Sequence, residues 1–122
     1  MILADTSIWI DHLRSGNTEL RKHLDQGKIA IHPFIIAELA LGSLQKRAKT
    51  LALLHLLPQV RVARLSEVHL AIEARRLYGL GIGLTDAHLI DSVFLDSPTQ
   101  LWTRDKRLRE AAESLGIHAS LA

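Results

Sequence analysis

MILADTSIWID, residues 1–11, is the stretch whose reading decides the fold. Ile2-Leu3-Ala4 is a short apolar run of the kind that forms a strand buried within a sheet. It ends at Asp5, a place where solvated surface acids rarely fall. Thr6 or Ser7 can cap a first short helix, and Ile8, Trp9, Ile10 and Leu13 give that helix its packing side. Ser15-Gly16-Asn17 breaks it.

Beyond residue 17 the alternation of strand and helix continues. Thr18 to Gln26 reads as a helix with Leu20 and Leu24 four apart and Gly27 closing it. Ile29-Ala30-Ile31 is a second strand. Pro33 suits the first turn of a helix over Phe34 to Leu41, apolar nearly all round and so expected to be buried on more than one side. After Gly42, Leu44 to Leu57 is helical with more leucine than a small core needs, and such a surplus marks an interface when exposed. Val60 to Ala63 reads as a strand, and Ser66 to Tyr78 as a helix. Gly79 to Gly83 is a glycine-rich loop, and Thr85 caps a helix from Asp86 to Leu95. Ser97-Pro98 turns into a strand at Leu101-Trp102-Thr103. Asp105 to Leu115 forms a last helix, and Ile117 to Ala119 an edge strand. The fold class is α/β: a central parallel sheet of four to five short strands with helices on both faces, in one domain spanning residues 1–122. Ligands of such sheets bind beyond the carboxyl ends of the strands, where the strand order reverses. Asp5 and Asp105 both belong at that end.

Composition narrows the chemistry. The chain is 48% hydrophobic and 23% charged, which suits a folded core and not disorder. Having no cysteine, it has no disulfide or thiolate metal site. No apolar run approaches the length of a membrane span and the first residues lack the layout of a signal peptide, so a cytoplasmic location is expected and no membrane partner. The net charge of +2 is uninformative, but five basic residues and no acid lie from Lys46 to Arg64. Arg104, Lys106, Arg107 and Arg109 form a second basic cluster. Either group suits a polyanion or a solvated helix face.

Glu38 is the only acid between Asp25 and Glu67. Set among Ile35, Ile36, Ala37, Leu39, Ala40 and Leu41, it is expected to be at least partly desolvated, and so to need a cation, a proton or a wet cleft. Asp5, Asp86 and Asp105 each have an ordinary alternative as helix caps or first-turn acids. Together with Glu38 they form a candidate oxygen-only site for Mg²⁺ or Mn²⁺, which serves in-line attack on a phosphodiester. Arg104, Lys106 and Arg107 beside Asp105 are candidate contacts to RNA phosphates. Asp91 lies about 140° around the helix from Asp86, so the two are not expected to bind one ion directly; a solvent-facing or helix-pairing role is expected. Trp9 and Trp102 read as core or subunit interface. The histidines show no metal pair at helical spacing, and none is read as catalytic.

DTSIWID at 5–11, IIAELALGS at 35–43, LTDAHLIDS at 84–92 and LWTRDKRL at 101–108 together resemble a PIN domain, and more closely a VapC-type toxin of a bacterial toxin–antitoxin pair. The likeness runs from residue 1 to the end, in the family's order. It implies a three-layer sandwich and a metal-dependent endoribonuclease acting on transfer or ribosomal RNA. It implies Asp5, Glu38, Asp86 and Asp105 as the catalytic, metal-binding acids, with Ser7 (or Thr6) and Thr103 beside them. It implies a homodimer and a cognate VapB-type antitoxin presenting a cation, often Arg, to the acids. Family members usually carry a small apolar residue where this chain has Asp91.

Three other classes fit less well. A receiver-like phosphoacceptor needs adjacent acids after the first strand and an Asp near mid-chain, where Val60 to Ala63 ends in none. A haloacid-dehalogenase-like phosphatase needs Asp-x-Asp, and this chain has Asp5-Thr6-Ser7. A catalytically silent binding domain of the same fold is the remaining alternative.

Overall fold

In the computed structural model, which describes residues 1–121, Ile2–Ala4 forms β1 at the centre of a three-stranded parallel sheet. Ala122, the last residue of the expected domain, lies outside the described residues. Ile29–Ala30 (β2) and Gln100–Trp102 (β3) flank β1, so the strand order is β2-β1-β3. Leu3 pairs with Ala30 on one side and Leu101 on the other. The strand order therefore reverses at β1, and Asp5 emerges at that reversal, its amide donating to the Trp102 carbonyl at 3.0 Å.

Seven helices flank the sheet among the described residues: α1 Thr6–Ser15, α2 Thr18–Asp25, α3 Pro33–Ala40, α4 Arg47–His55, α5 Leu65–Ala74, α6 Leu84–Leu95 and α7 Lys106–Ser114. Leu3, Ile8, Leu20, Ile31, Ile35, Leu89, Ile90, Leu101, Trp102 and Leu108 are fully enclosed in a single apolar core drawn from all three strands and most helices. Trp9 joins them, so both tryptophans are core residues. No helix among the described residues is long and apolar enough to cross a membrane.

The sheet has three strands and not four to five. In place of a strand over Val60–Ala63 there is one bridge just before it, Ile31 to Gln59, in which the Val60 amide donates to the Ile31 carbonyl at 3.1 Å. The chain then leaves the ladder: Arg61 and Val62 are exposed, and the Ala63 amide turns to the Ser92 hydroxyl of α6 at 3.4 Å. At the other edge, Ile117 and Ala119 both bond to Leu101, so the expected edge strand is also a single bridge, Leu101 to His118. The helix expected to reach Tyr78 ends at Ala74, since Arg76 turns left-handed at φ 54°. In α4 only Leu54 is buried; Leu53 and, just past the helix end, Leu56 are exposed, leaving part of the leucine surplus on the surface.

Candidate metal and phosphodiester site

Helix starts position three of the four acids. Asp5 caps α1, with Oδ1 accepting from the Ile8 amide at 3.3 Å. Asp105 caps α7, with Oδ1 accepting from the Leu108 amide at 2.9 Å. Asp86, in the first turn of α6, accepts from the Gly83 amide through Oδ2 at 3.3 Å. The ordinary capping role is thus real for all three, but it does not exhaust them: the caps engage one oxygen each. The positive ends of three helix dipoles point at the same region and offset part of the repulsion among the acids. Glu38 comes from the middle of α3, and its Oε1 accepts from the Thr6 hydroxyl at 2.6 Å.

Asp86 feels the charges of the other three acids. Burial raises the Asp86 pKa above the ordinary carboxylate value; the Gly83 amide opposes this, while the charges of Asp105, Asp5 and Glu38 raise it further. Asp5 is 5% exposed, and burial raises its pKa as well. Hydrogen bonds from Ser7, Thr103 and the Ile8 amide pull it back. The Ser7 hydroxyl donates to Oδ1 and the Thr103 hydroxyl to Oδ2, each at 2.5 Å. Those hydroxyls also accept, Ser7 from the Arg104 amide and Thr103 from the Asp105 amide, both at 3.0 Å. Ser7 and Thr103 therefore tie the ends of β1 and β3 together around one buried carboxylate.

Two expectations about the site need correction. Glu38 is exposed, not desolvated. The helix carrying it buries Ile35, Ile36 and Leu39 on one side and presents Ala37 and Glu38 to solvent on the other. An apolar sequence over so few turns contains alanines that need no burial, and they make the helix look enclosed. Asp91 is the reverse case. It is 6% exposed, not solvent-facing; burial raises its pKa, and the charge of Arg75 on the adjoining end of α5 pulls the other way. The charges that act on it are those of Arg75, Glu67 and His88, and none of the four acids is among them.

The basic residues beside Asp105 are partly committed to the protein. The Arg104 guanidinium pairs with Asp11 at 2.9 Å, and Asn17 holds the same Asp11 oxygen at 3.1 Å. Arg107 crosses to the glycine-rich loop, where a side chain at Gly81, held at φ 74°, would fall on its guanidinium. Lys106 is exposed. Sequence reasoning misses these contacts of Asp11 and Thr6. The available signal is spacing: Thr6 follows Asp5 directly, and Asp11 lies near the other end of the same helix.

All oxygen donors here are hard carboxylates, and no sulfur competes, a set suited to Mg²⁺ or Mn²⁺. Among the described residues no three His, Cys, Asp or Glu side chains converge tightly enough to bind one ion by themselves. Mg²⁺ is commonly held by only one or two carboxylates with water completing its shell, so the residues present fit such an ion. Relief of the repulsion on Asp86 is the physical reason they would draw in around it.

A family model for the PIN domain matches residues 2–114, and the chain belongs to that family. Within it the chain is of the VapC type. Over 117 residues it is 45% identical to Ribonuclease VapC32 of Mycobacterium tuberculosis strain CDC 1551 / Oshkosh, covering 96% of this chain and 94% of that protein. The same figures hold for Ribonuclease VapC32 of strain ATCC 25618 / H37Rv.

Proposed function

We propose that this chain is a divalent-metal-dependent endoribonuclease, a single nuclease domain acting in the cytoplasm as the toxin of a toxin–antitoxin pair. The observation that carries the reading is the shared electrostatics of Asp86 with Asp105, Asp5 and Glu38 at the strand-order reversal. Asp5, Glu38 and Asp86 would hold Mg²⁺ or Mn²⁺, one or two of them directly and the rest through its water shell, with Asp105 in support. When bound, the ion supplies Lewis acidity that activates water and offsets charge on the phosphodiester.

The chain's own residues do the rest. Ser7 and Thr103 fix both oxygens of Asp5 and oppose the rise in its pKa that burial causes. Thr6 fixes Glu38. The starts of α1, α6 and α7 set dipoles toward the reacting phosphate. Water attacks phosphorus in line and the 3′ oxygen leaves, giving 5′-phosphate and 3′-hydroxyl ends. Lys106, with Arg104 and Arg107 where their contacts to Asp11 and Gly81 release them, would position neighbouring RNA phosphates. Transfer or ribosomal RNA is the proposed substrate class.

A VapB-type antitoxin is the proposed partner, and a guanidinium fork from it is a good match for clustered carboxylates. The exposed leucines Leu53 and Leu56 support a homodimer. A receiver-like role is disfavoured because Val60–Ala63 leads to no acid and forms no full strand. Induction in cells tests the reading: the parent arrests growth and Glu38→Gln does not. Equal arrest by Glu38→Gln would remove the acids as the toxic principle.

A further inference from the structure

A cleft of about 510 Å³ opens beside the acids, between α1 and the loop joining α3 to α4. Glu38 is the one carboxylate that lines it, so the cleft and the acidic site share a wall. Thr6, which holds Glu38, begins a stripe on α1 that continues through Ile10 to Arg14, at four-residue spacing, with Leu13 alongside. That stripe extends about 12 Å from the acids. Leu39 and Leu44 supply apolar wall opposite, and Gln45 a side-chain amide.

Charge tells what would enter. Arg14 lines the cleft and makes none of the four ion pairs among the described residues. Lys46, Arg47 and Lys49 follow the cleft's loop, with no acid between Glu38 and Glu67. A hollow with leucines on its walls, polar groups between them and an uncommitted guanidinium at one end suits a nucleotide: base against the leucines, phosphate on the arginine. The volume falls in the range of roughly 300–1,000 Å³ that holds small-molecule-sized groups.

We propose that this cleft is a subsite for one unstacked nucleotide of the RNA substrate, flanking the scissile phosphate, with Arg14 on its phosphate and Leu13 and Leu44 against its base. The proposal rests on the nuclease reading of the acids but is separable from it by experiment.

The test uses the full chain carrying Asp5→Asn, so that RNA is bound without being cut, and a short fluorescein-labelled single-stranded RNA followed by anisotropy. Ser43→Trp, at an exposed position of the cleft, fills it; Arg14→Ala removes the cation. Ser43→Trp is expected to weaken binding roughly tenfold, the order of one lost base contact. Arg14→Ala is expected to weaken it severalfold and to lower the slope of log affinity against log salt by about 0.7, one phosphate's share on a single strand. RNA with an abasic residue at successive positions should lose the Ser43→Trp effect at one position only. Unchanged binding in both variants overturns the subsite and leaves the cleft to a polypeptide segment. Cleavage by the unmodified chain is scored separately. Asp5-dependent cleavage with unchanged binding in both variants keeps the nuclease and overturns the subsite. Binding lost in both variants with no Asp5-dependent cleavage supports the subsite and overturns the nuclease.

Discussion

The Thr103 hydroxyl donates to Asp5 Oδ2 at 2.5 Å, across 98 positions of sequence. It joins the end of β3 to the end of β1 at the strand-order reversal, and its oxygen also accepts from the Asp105 amide. Thr103→Val keeps the shape and removes both bonds. Asp5 then loses one of the donors that oppose its burial, and its pKa, already raised, rises further. Because only the ionised carboxylate attracts a cation, the acidic limb of the pH–activity profile should move to higher pH. Urea unfolding should show a loss of about 1–3 kcal/mol, the cost of unpaired buried polar groups. An unmoved acidic limb would separate Thr103 from the chemistry.

Asp86 carries a charge that folding opposes. Its raised pKa means the stability of the protonated form is present below the ordinary carboxylate value and lost as pH rises through the raised one. At neutral pH the metal-free chain therefore bears the repulsion. Asp86→Asn keeps an acceptor for the Gly83 amide and removes the charge, so the metal-free variant should melt a few degrees higher than the parent. Mn²⁺ should raise the parent's Tm and raise the variant's much less. Equal shifts by thermal melting would place the ion elsewhere.

His32 gives the opposite pH dependence. It is fully buried, it caps α3 by accepting from the Phe34 amide at 3.0 Å, and burial followed by the charge of His88 lowers its pKa to about 4. The unfolded chain takes up this proton first as pH falls, so stability present above the ordinary histidine value is lost as pH falls toward 4. His32→Asn keeps an N-cap acceptor and cannot titrate. Relative to it, the parent should lose up to about 1.4 kcal/mol per pH unit in that window, read from urea unfolding at several pH values. The comparison removes the contributions of Asp5 and Asp86, which have the other sign and are common to both chains.

On the proposed reading, Asp11 holds the guanidinium of Arg104 that would otherwise meet an RNA phosphate. An exposed pair of this kind contributes about 0.2–1 kcal/mol to folding, so Asp11→Asn should leave the melting temperature nearly unchanged. It should tighten RNA binding at low salt by roughly threefold, with the gain vanishing as salt screens the contact. Weaker binding by Asp11→Asn would mean that the ion pair holds Arg104 where RNA needs it.

Much of this arrangement is readable in residues 1–11 and in the places where apolar runs end in acids. A three-residue apolar strand followed by Asp5 puts one acid at the end of the sheet, and the break before Asp105 puts another there. What escapes depends on three dimensions. Val60 to Ala63 has strand composition, yet Ser92 of a distant helix takes its amide. Glu38 sits in apolar sequence, yet a helix of eight residues still has an open side. Asp91 reads as either solvent-facing or helix-pairing, and its burial beside the charges of Arg75 and Glu67 is one that no local pattern reveals. Arg104 is expected at RNA and is held by Asp11, six residues along the first helix from Asp5.

The central claim, that the four acids support metal-dependent cutting of RNA, is tested most directly by incubating the purified chain with total RNA and Mg²⁺ or Mn²⁺, beside Asp5→Asn and an EDTA control. Discrete fragments with 5′-phosphate ends are expected from the parent and none with EDTA. Asp5→Asn should lose at least about a hundredfold in rate, on the order of a lost catalytic interaction. Cleavage that survives EDTA, or that Asp5→Asn performs as well as the parent, would contradict the claim.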